Sequence, residues 1–133
     1  MRGWIIGLVF ALGLAGAAWA QDSEIEGVIS GQIEAFKADD FEQAFTFAAP
    51  SIRQIFRTPE NFGVMVRRGY PMVWRPAEVT FLDLRDEAGV PVQTVQIRDA
   101  EGTIHLLAYS MTQTGAGWKI SGVQILEAPG VNA

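Results

Sequence analysis

Three strand-like runs separated by turns occupy residues 92–126, VQTVQIRDAEGTIHLLAYSMTQTGAGWKISGVQIL. In the first run, Val95 and Ile97 share one face with Gln93 while polar residues occupy the other, which is typical of a half-buried strand. Asp99–Gly102 and Gly115–Gly117 hold the Gly and Asp residues that turns favour. With a further apolar run upstream, this stretch predicts an antiparallel meander of four strands. The predicted strands are Val79–Leu84, Val92–Arg98, Ile104–Gln113 and Trp118–Leu126.

Strict alternation along a strand also predicts which side chains share a face in the last two runs. In the third strand one face carries His105, Leu107, Tyr109 and Met111. In the fourth strand the same rule places Trp118 and Ile120 opposite Val123 and Ile125.

Ahead of the strands, apolar residues recur at the three- and four-residue intervals of amphipathic helices. The first helix carries an apolar stripe from Ile25 to Phe36, with Asp22 or Ser23 as its predicted cap. Asp40, followed by Gln43, forms a D-x-x-Q capping box that predicts the start of a second helix.

The next segment combines capping residues with prolines. Ser51, with Gln54, is predicted to cap a short helical turn by the same logic. Thr58 followed by proline predicts a third helix, Pro59–Arg68, because proline suits the first helical position. Gly69 is predicted to close that helix in the left-handed conformation.

Composition excludes several kinds of chemistry. The chain has no cysteine, so disulfides, thiolate nucleophiles and cysteine-based metal sites are excluded. Its formal net charge of −5 argues against nucleic-acid binding. Five arginines nevertheless fall between Ser51 and Arg75, where Glu60 is the only acid, and they form either solvated helix faces or an anion-binding surface. They are Arg53, Arg57, Arg67, Arg68 and Arg75.

The first 20 residues have the pattern of a secretory signal peptide. Arg2 precedes the uncharged stretch Trp4–Ala18, and the A-x-A motif Ala18–Ala20 comes before an acidic segment. The apolar run is shorter than the roughly 20 residues that a membrane-spanning helix needs. We therefore expect export, most simply to the periplasm, with residues 1–20 removed. The remainder, residues 21–133, is predicted to form one domain with no further membrane association.

Three motifs carry a resemblance that covers residues 24–126. They are I..QI.AF..DD...AF.FA.P at residues 29–50, F.TPE.F..MV..GYP at residues 56–71, and GW.I.GV at residues 117–123. The chain resembles the nuclear transport factor 2-like superfamily and, more closely, a bacterial family of small secreted proteins described only as a domain of unknown function. The resemblance implies an α+β cone, in which N-terminal helices pack on a curved antiparallel sheet of about four strands. The superfamily includes isomerase-like and cyclase-like enzymes, ligand binders and dimerisation modules, so the fold alone does not determine the function. Because such domains commonly pair through the outer face of the sheet, the resemblance also implies a homodimer.

Few residues have the chemistry needed for catalysis. The single histidine excludes paired-histidine metal sites, and neither a metal nor a cofactor is predicted. An isomerase-like site would need a base in an apolar pocket, for which Asp83, Asp99 and His105 are the strand-associated candidates. Asp83 and Asp99 lie at predicted strand ends or turns, which favours structural roles. Tyr70 and Tyr109 are the only phenolic donors.

A ligand pocket is the alternative to catalysis. Residues near the third helix, together with two from the sheet, are predicted to line an amphipathic cavity, although such clusters are often plain core. Arg67 or Arg68 at its mouth would favour an anionic ligand. The leading hypothesis is a non-enzymatic module that binds a small amphipathic or anionic ligand or a protein partner; the alternative is an isomerase-like or cyclase-like enzyme. The predicted lining residues are Met65, Tyr70, Met72, Trp74, Gln96 and Tyr109.

Overall fold

The computed structural model describes the backbone of residues 2–126 and the side chains of residues 20–126. In this part of the chain five helices precede four strands, so the predicted α+β class is confirmed. Residues 127–133 of the predicted domain lie outside the described residues. The elements are α1 (Arg2–Lys37), α2 (Phe41–Thr46), α3 (Pro50–Phe56), α4 (Pro59–Gly69), α5 (Pro71–Trp74), β1 (Pro76–Glu87), β2 (Val90–Asp99), β3 (Ile104–Thr114) and β4 (Gly117–Leu126).

The strands form one curved, unclosed sheet in the order β1-β2-β3-β4, with each strand antiparallel to the next. One sheet face packs against the helices, and the core lies between these two layers. Helix α1 contributes Ile25, Ile29 and Phe36, all at most 1% exposed, because their spacing keeps them on one helical face. The sheet contributes Val95 and Leu107, which pair across β2 and β3 and are fully buried.

Helix α1 differs from its prediction at the N-terminal end. It begins at Arg2 and runs through Asp22 and Ser23, so the prediction that one of them caps the helix is wrong. Among the described residues, no helix combines the length and the apolar character needed to cross a membrane.

Two of the predicted caps are confirmed. The Asp40 carboxylate accepts a hydrogen bond of 3.1 Å from the backbone N–H of Gln43 at the start of α2. The Thr58 hydroxyl oxygen accepts an equal bond from the N–H of Asn61 at the start of α4. Each bond satisfies an N–H group that has no partner within its helix.

Two other caps differ from prediction. Ser51 does not cap α3, because proline takes the first helical position and Ala49 is the capping residue. Gly69 is the last helical residue of α4, and Tyr70 follows it as the cap with a φ of −136°. The chain then forms the short helix α5 directly from Pro71, so a left-handed glycine is not needed there.

A β-bulge changes the predicted faces of β4. Ile120 pairs with Met111, and Val123 pairs with Tyr109, so the interval is three residues on β4 and two on β3. The extra residue shifts the alternation by one position. The prediction that Ile120 and Val123 lie on opposite faces is therefore wrong, and both side chains face the helices.

Candidate functional site

A cavity of about 330 Å³ lies between the helices and the sheet. Its walls are formed by α1, α3, α4, the segment after α4, and the inner faces of β3 and β4. Among the described residues its lining contains no charged side chain. The lining residues are Gln32, Phe36, Ala48, Ile52, Phe56, Phe62, Met65, Val66, Tyr70, Val73, Tyr109, Ile120 and Val123.

Helical spacing explains how α3 and α4 supply the apolar wall. On α4, Phe62, Met65 and Val66 are three and four residues apart and therefore share one face. On α3, Ile52 and Phe56 are four residues apart and share a face in the same way. Phe62 and Val66 are buried, whereas the other three side chains are half-buried, so solvent reaches the part of the wall that Ile52, Phe56 and Met65 form.

Tyr109 on β3 is the most buried polar side chain of the cavity wall. The residue is 1% exposed, and its hydroxyl forms no hydrogen bond with any residue that the structure describes. Burial raises the pKa of Tyr109 well above its usual value, and the nearby Tyr70 adds to this shift. The hydroxyl therefore keeps its proton at any physiological pH.

Tyr70 is placed differently, although it lines the same cavity. Its hydroxyl donates a hydrogen bond of 3.1 Å to the carbonyl oxygen of Val123 on β4. This bond joins the start of α5 to the sheet at the cavity wall. The Tyr70 proton is thus already used within the protein, whereas the Tyr109 hydroxyl has no acceptor among the residues that the structure describes.

Gln32 is the other polar lining residue. It lies on the apolar stripe of α1, three residues after Ile29, and it is 4% exposed. Its amide nitrogen donates a hydrogen bond of 3.2 Å to the carbonyl oxygen of Ala44 and so joins α1 to α2. A glutamine within an otherwise apolar stripe is the sequence signal that would have identified this residue, which was not predicted.

The structure brings together three of the predicted lining residues, Met65, Tyr70 and Tyr109. Met72 is buried in the core but does not line the cavity. Gln96 directly follows the buried Val95 on β2 and pairs with Leu106 on β3. Because side chains alternate along a strand, Gln96 faces away from the helices. The lining residues on α1 and α3 were not predicted, although Phe36 belongs to the predicted apolar stripe of the first helix.

Trp74 and the two arginines also lie away from the cavity. The Trp74 indole N–H donates a hydrogen bond of 2.9 Å to Asp39, and its ring packs against the Arg75 guanidinium at 4.3 Å. The Arg67 guanidinium lies 5.0 Å from the ring centre of Phe41 on the opposite side of α4 from the cavity, and Arg68 is exposed. The expectation that arginines stand at the cavity mouth and favour an anion is therefore not met by the lining.

The three candidate bases lie outside the cavity lining. Asp83 is exposed, and its carboxylate lies 3.7 Å from Arg85. Asp99 accepts hydrogen bonds of 2.9 Å from the backbone N–H groups of Glu101 and Thr103 in the β2–β3 turn. The ring nitrogen Nε2 of His105 lies 2.9 Å from the same carboxylate, and this hydrogen bond is the main reason that the pKa of Asp99 is lowered.

The Asp99–His105 pair thus holds a turn together. Both residues are among the predicted candidate bases, but contact between them was not predicted. Among residues 20–126, no cluster of three or more His, Asp or Glu side chains is arranged to hold a metal ion.

Comparison with known proteins identifies a family for this chain. One family model, described as "Domain of unknown function (DUF4864)", matches residues 18–133. No curated protein matches the chain.

Proposed function

We propose that this chain, which belongs to the DUF4864 family of domains of unknown function, binds a small and mostly apolar ligand in the cavity between its helices and its sheet. The observation that carries the proposal is the cavity itself. Protein interiors are normally close-packed, with few voids larger than a water molecule. This half-open space of about 330 Å³ extends from the surface to buried core residues, and its volume falls at the lower end of the range for ligand sites.

The chemistry of the walls favours binding over catalysis. The lining combines apolar and aromatic side chains with a few polar groups, which is the usual composition of a small-molecule site. An isomerase-like reaction would need an acid or base at the reacting atoms. Asp83, Asp99 and His105 all lie away from the cavity, so the enzyme interpretation has no carboxylate or imidazole base among the described lining residues.

A ligand that remains bound during purification would test the proposal directly. The protein is purified from its own host, and its native mass is compared with its denatured mass. We expect a retained extra mass in the native spectrum, whose value would indicate the ligand. Met65→Trp, at the half-buried edge of the cavity, should abolish this mass, because the larger ring fills the opening.

Val64→Trp is the matched control, because Val64 is the preceding residue on α4, is 37% exposed and does not line the cavity. It should leave the retained mass unchanged. A wild-type protein without extra mass that also fails to bind small apolar probes in titrations would overturn the proposal. Equal loss of the mass in both variants would place the ligand elsewhere.

We also propose that the protein forms a homodimer that pairs through the outer face of the sheet. Leu106 and Leu126 pair across β3 and β4 on that face, and Ile104 is 40% exposed beside them. Sedimentation of wild type and Ile104→Glu would test this proposal, since a charge at the interface should shift the protein toward the monomer. Ile55→Glu is the control, because Ile55 is 71% exposed on α3, away from the sheet. A wild-type monomer at high concentration would contradict the dimer.

A further inference from the structure

We propose that the ligand of this cavity is an uncharged molecule that presents an oxygen acceptor, such as a carbonyl group, to the hydroxyl of Tyr109. This inference rests on the proposed function and deepens it by giving the chemical class of the ligand. The group that supports it is the Tyr109 hydroxyl, which has no hydrogen-bond partner among the described residues.

Tyr109 is buried, lines the cavity, and has no hydrogen-bond partner among the described residues. Buried tyrosine hydroxyls usually have a partner, because an unsatisfied polar group in an apolar environment costs free energy. The neighbouring Tyr70 differs in this respect, because its hydroxyl donates a hydrogen bond to the carbonyl oxygen of Val123. The hydroxyl of Tyr109 is therefore available to a molecule in the cavity.

Tyr109 would act as a donor in such a complex. Its burial keeps the phenol protonated, so it offers an O–H group and no negative charge. The other two polar side chains of the described lining each donate one hydrogen bond within the protein, Gln32 to Ala44 and Tyr70 to Val123. An acceptor on the ligand gives the Tyr109 proton a partner that the described residues do not supply.

The lining also selects against charge. A carboxylate that enters an apolar cavity loses its hydration and needs a cation or several donors to replace it. Arg67 is directed onto the rings of Phe41 and Trp74, and the lining contains no charged residue among those described. An uncharged ligand with one acceptor therefore fits these walls, whereas an anion does not.

Three probes of nearly the same shape separate these features. 2-Acetylnaphthalene carries a carbonyl acceptor, 2-ethylnaphthalene carries none, and 2-naphthoate carries a negative charge. Calorimetric or fluorescence titration should show that the wild-type protein binds the ketone about three- to tenfold more tightly than the hydrocarbon. The naphthoate should bind most weakly.

Tyr109→Phe should remove the preference for the ketone, because it deletes only the hydroxyl. Tyr70→Phe is the matched control and should keep the preference, since the Tyr70 hydroxyl is bonded to Val123. The carbonyl stretching frequency of bound 2-acetylnaphthalene gives a second readout in the wild type alone. It should fall on binding if the carbonyl accepts a hydrogen bond in the cavity.

The outcomes distinguish this inference from the proposed function. Binding of ketone and hydrocarbon with equal affinity, an unshifted carbonyl frequency, or tightest binding of the naphthoate would overturn the inference and leave a binding cavity. A ketone preference that survives Tyr109→Phe would also overturn it. Failure of all three probes to bind would count against the cavity as a ligand site, and both proposals would then fall.

Discussion

The side-chain amide nitrogen of Gln93 lies 3.0 Å from the carbonyl oxygen of Leu82, and the two groups form a hydrogen bond between β2 and β1. The same nitrogen lies 3.3 Å from the carbonyl oxygen of Asp83. Both acceptors belong to a bulge in β1, where the regular ladder is interrupted. Gln93 is 1% exposed, so a buried polar side chain replaces the backbone partners that the bulge removes.

Replacing Gln93 with leucine should destabilise the protein by about 1–3 kcal/mol, because carbonyl groups in the bulge lose their donor. Urea unfolding followed by circular dichroism measures this change. Gln96→Leu is the matched control, because Gln96 lies on the same strand, faces the other side and is half-buried. That variant should stay within about 0.5 kcal/mol of wild type. Equal stabilities of the two variants would show that the Gln93 amide contributes little.

Replacing Asp99 with asparagine should lower the stability of the protein at neutral pH and leave it less affected in acid. The hydrogen bond from His105, followed by that from the Thr103 N–H, lowers the pKa of Asp99 below its ordinary value of 3.8. A lowered folded-state pKa adds stability that is complete above the unfolded-state pKa of about 4 and is lost as the pH falls through the folded-state value. The difference between wild type and Asp99→Asn should therefore shrink below about pH 4.

Thermal unfolding of both proteins between neutral pH and about pH 3 measures this difference. Asp83→Asn is the control, since the Asp83 carboxylate is exposed and lies 3.7 Å from Arg85. Exposed ion pairs contribute little, so this variant should resemble wild type at neutral pH. A constant gap between wild type and Asp99→Asn down to acid pH would contradict the assigned role of the carboxylate.

The predicted signal peptide implies a defined N-terminus for the protein after cleavage. Cleavage after Ala20 would leave Gln21 as the first residue, and the intact mass of the protein from its own host should match residues 21–133. Ala18→Glu should block cleavage, because the small side chains of the A-x-A motif are required there. Trp19→Phe, at the variable middle position, should not. Recovery of the full-length chain from a wild-type periplasmic extract would contradict the prediction.

The features that were predicted correctly depend on residues that are close together in the sequence. Asp40 and Thr58 cap their helices because each hydrogen-bonds a backbone N–H only three residues away. The four strands follow from alternation and turn residues, which are also local. Met65 and Tyr109 were placed at the cavity for a similar reason, since helix and strand periodicity determine which way each side chain faces.

The features that were missed depend on contacts between distant residues. Trp74 lies outside the cavity because its indole N–H donates a hydrogen bond to Asp39, 35 residues earlier. Asp39 itself has a left-handed backbone conformation with a φ of 57°. The bulge in β4 is fixed by pairing across to Met111, which alternation along β4 alone does not reveal. No local pattern contains either contact.

Two glycines on the same helix should respond in opposite ways to replacement by alanine. A Cβ atom on Gly27 would have no atom within 4 Å, whereas a Cβ on Gly31 would lie 2.7 Å from Cζ of Phe47. Gly27→Ala should therefore stabilise the protein by about 0.5–1 kcal/mol through helix propensity. Gly31→Ala should destabilise it by about 1 kcal/mol, because overpacking outweighs the same propensity gain. Chemical unfolding of both variants measures the two effects.

The clash at Gly31 is difficult to relieve by moving the backbone of Phe47. The carbonyl oxygen of Phe47 accepts a hydrogen bond of 2.9 Å from the N–H of Ile120, which ties the end of α2 to β4. Shortening the side chain should relieve the clash instead, since Phe47→Leu removes the ring atom nearest to the new methyl group. The double variant Gly31→Ala with Phe47→Leu should therefore be more stable than the sum of the two single changes predicts, which a double-mutant cycle measures. Strict additivity would show that Phe47 does not restrict the approach of α1 to α2.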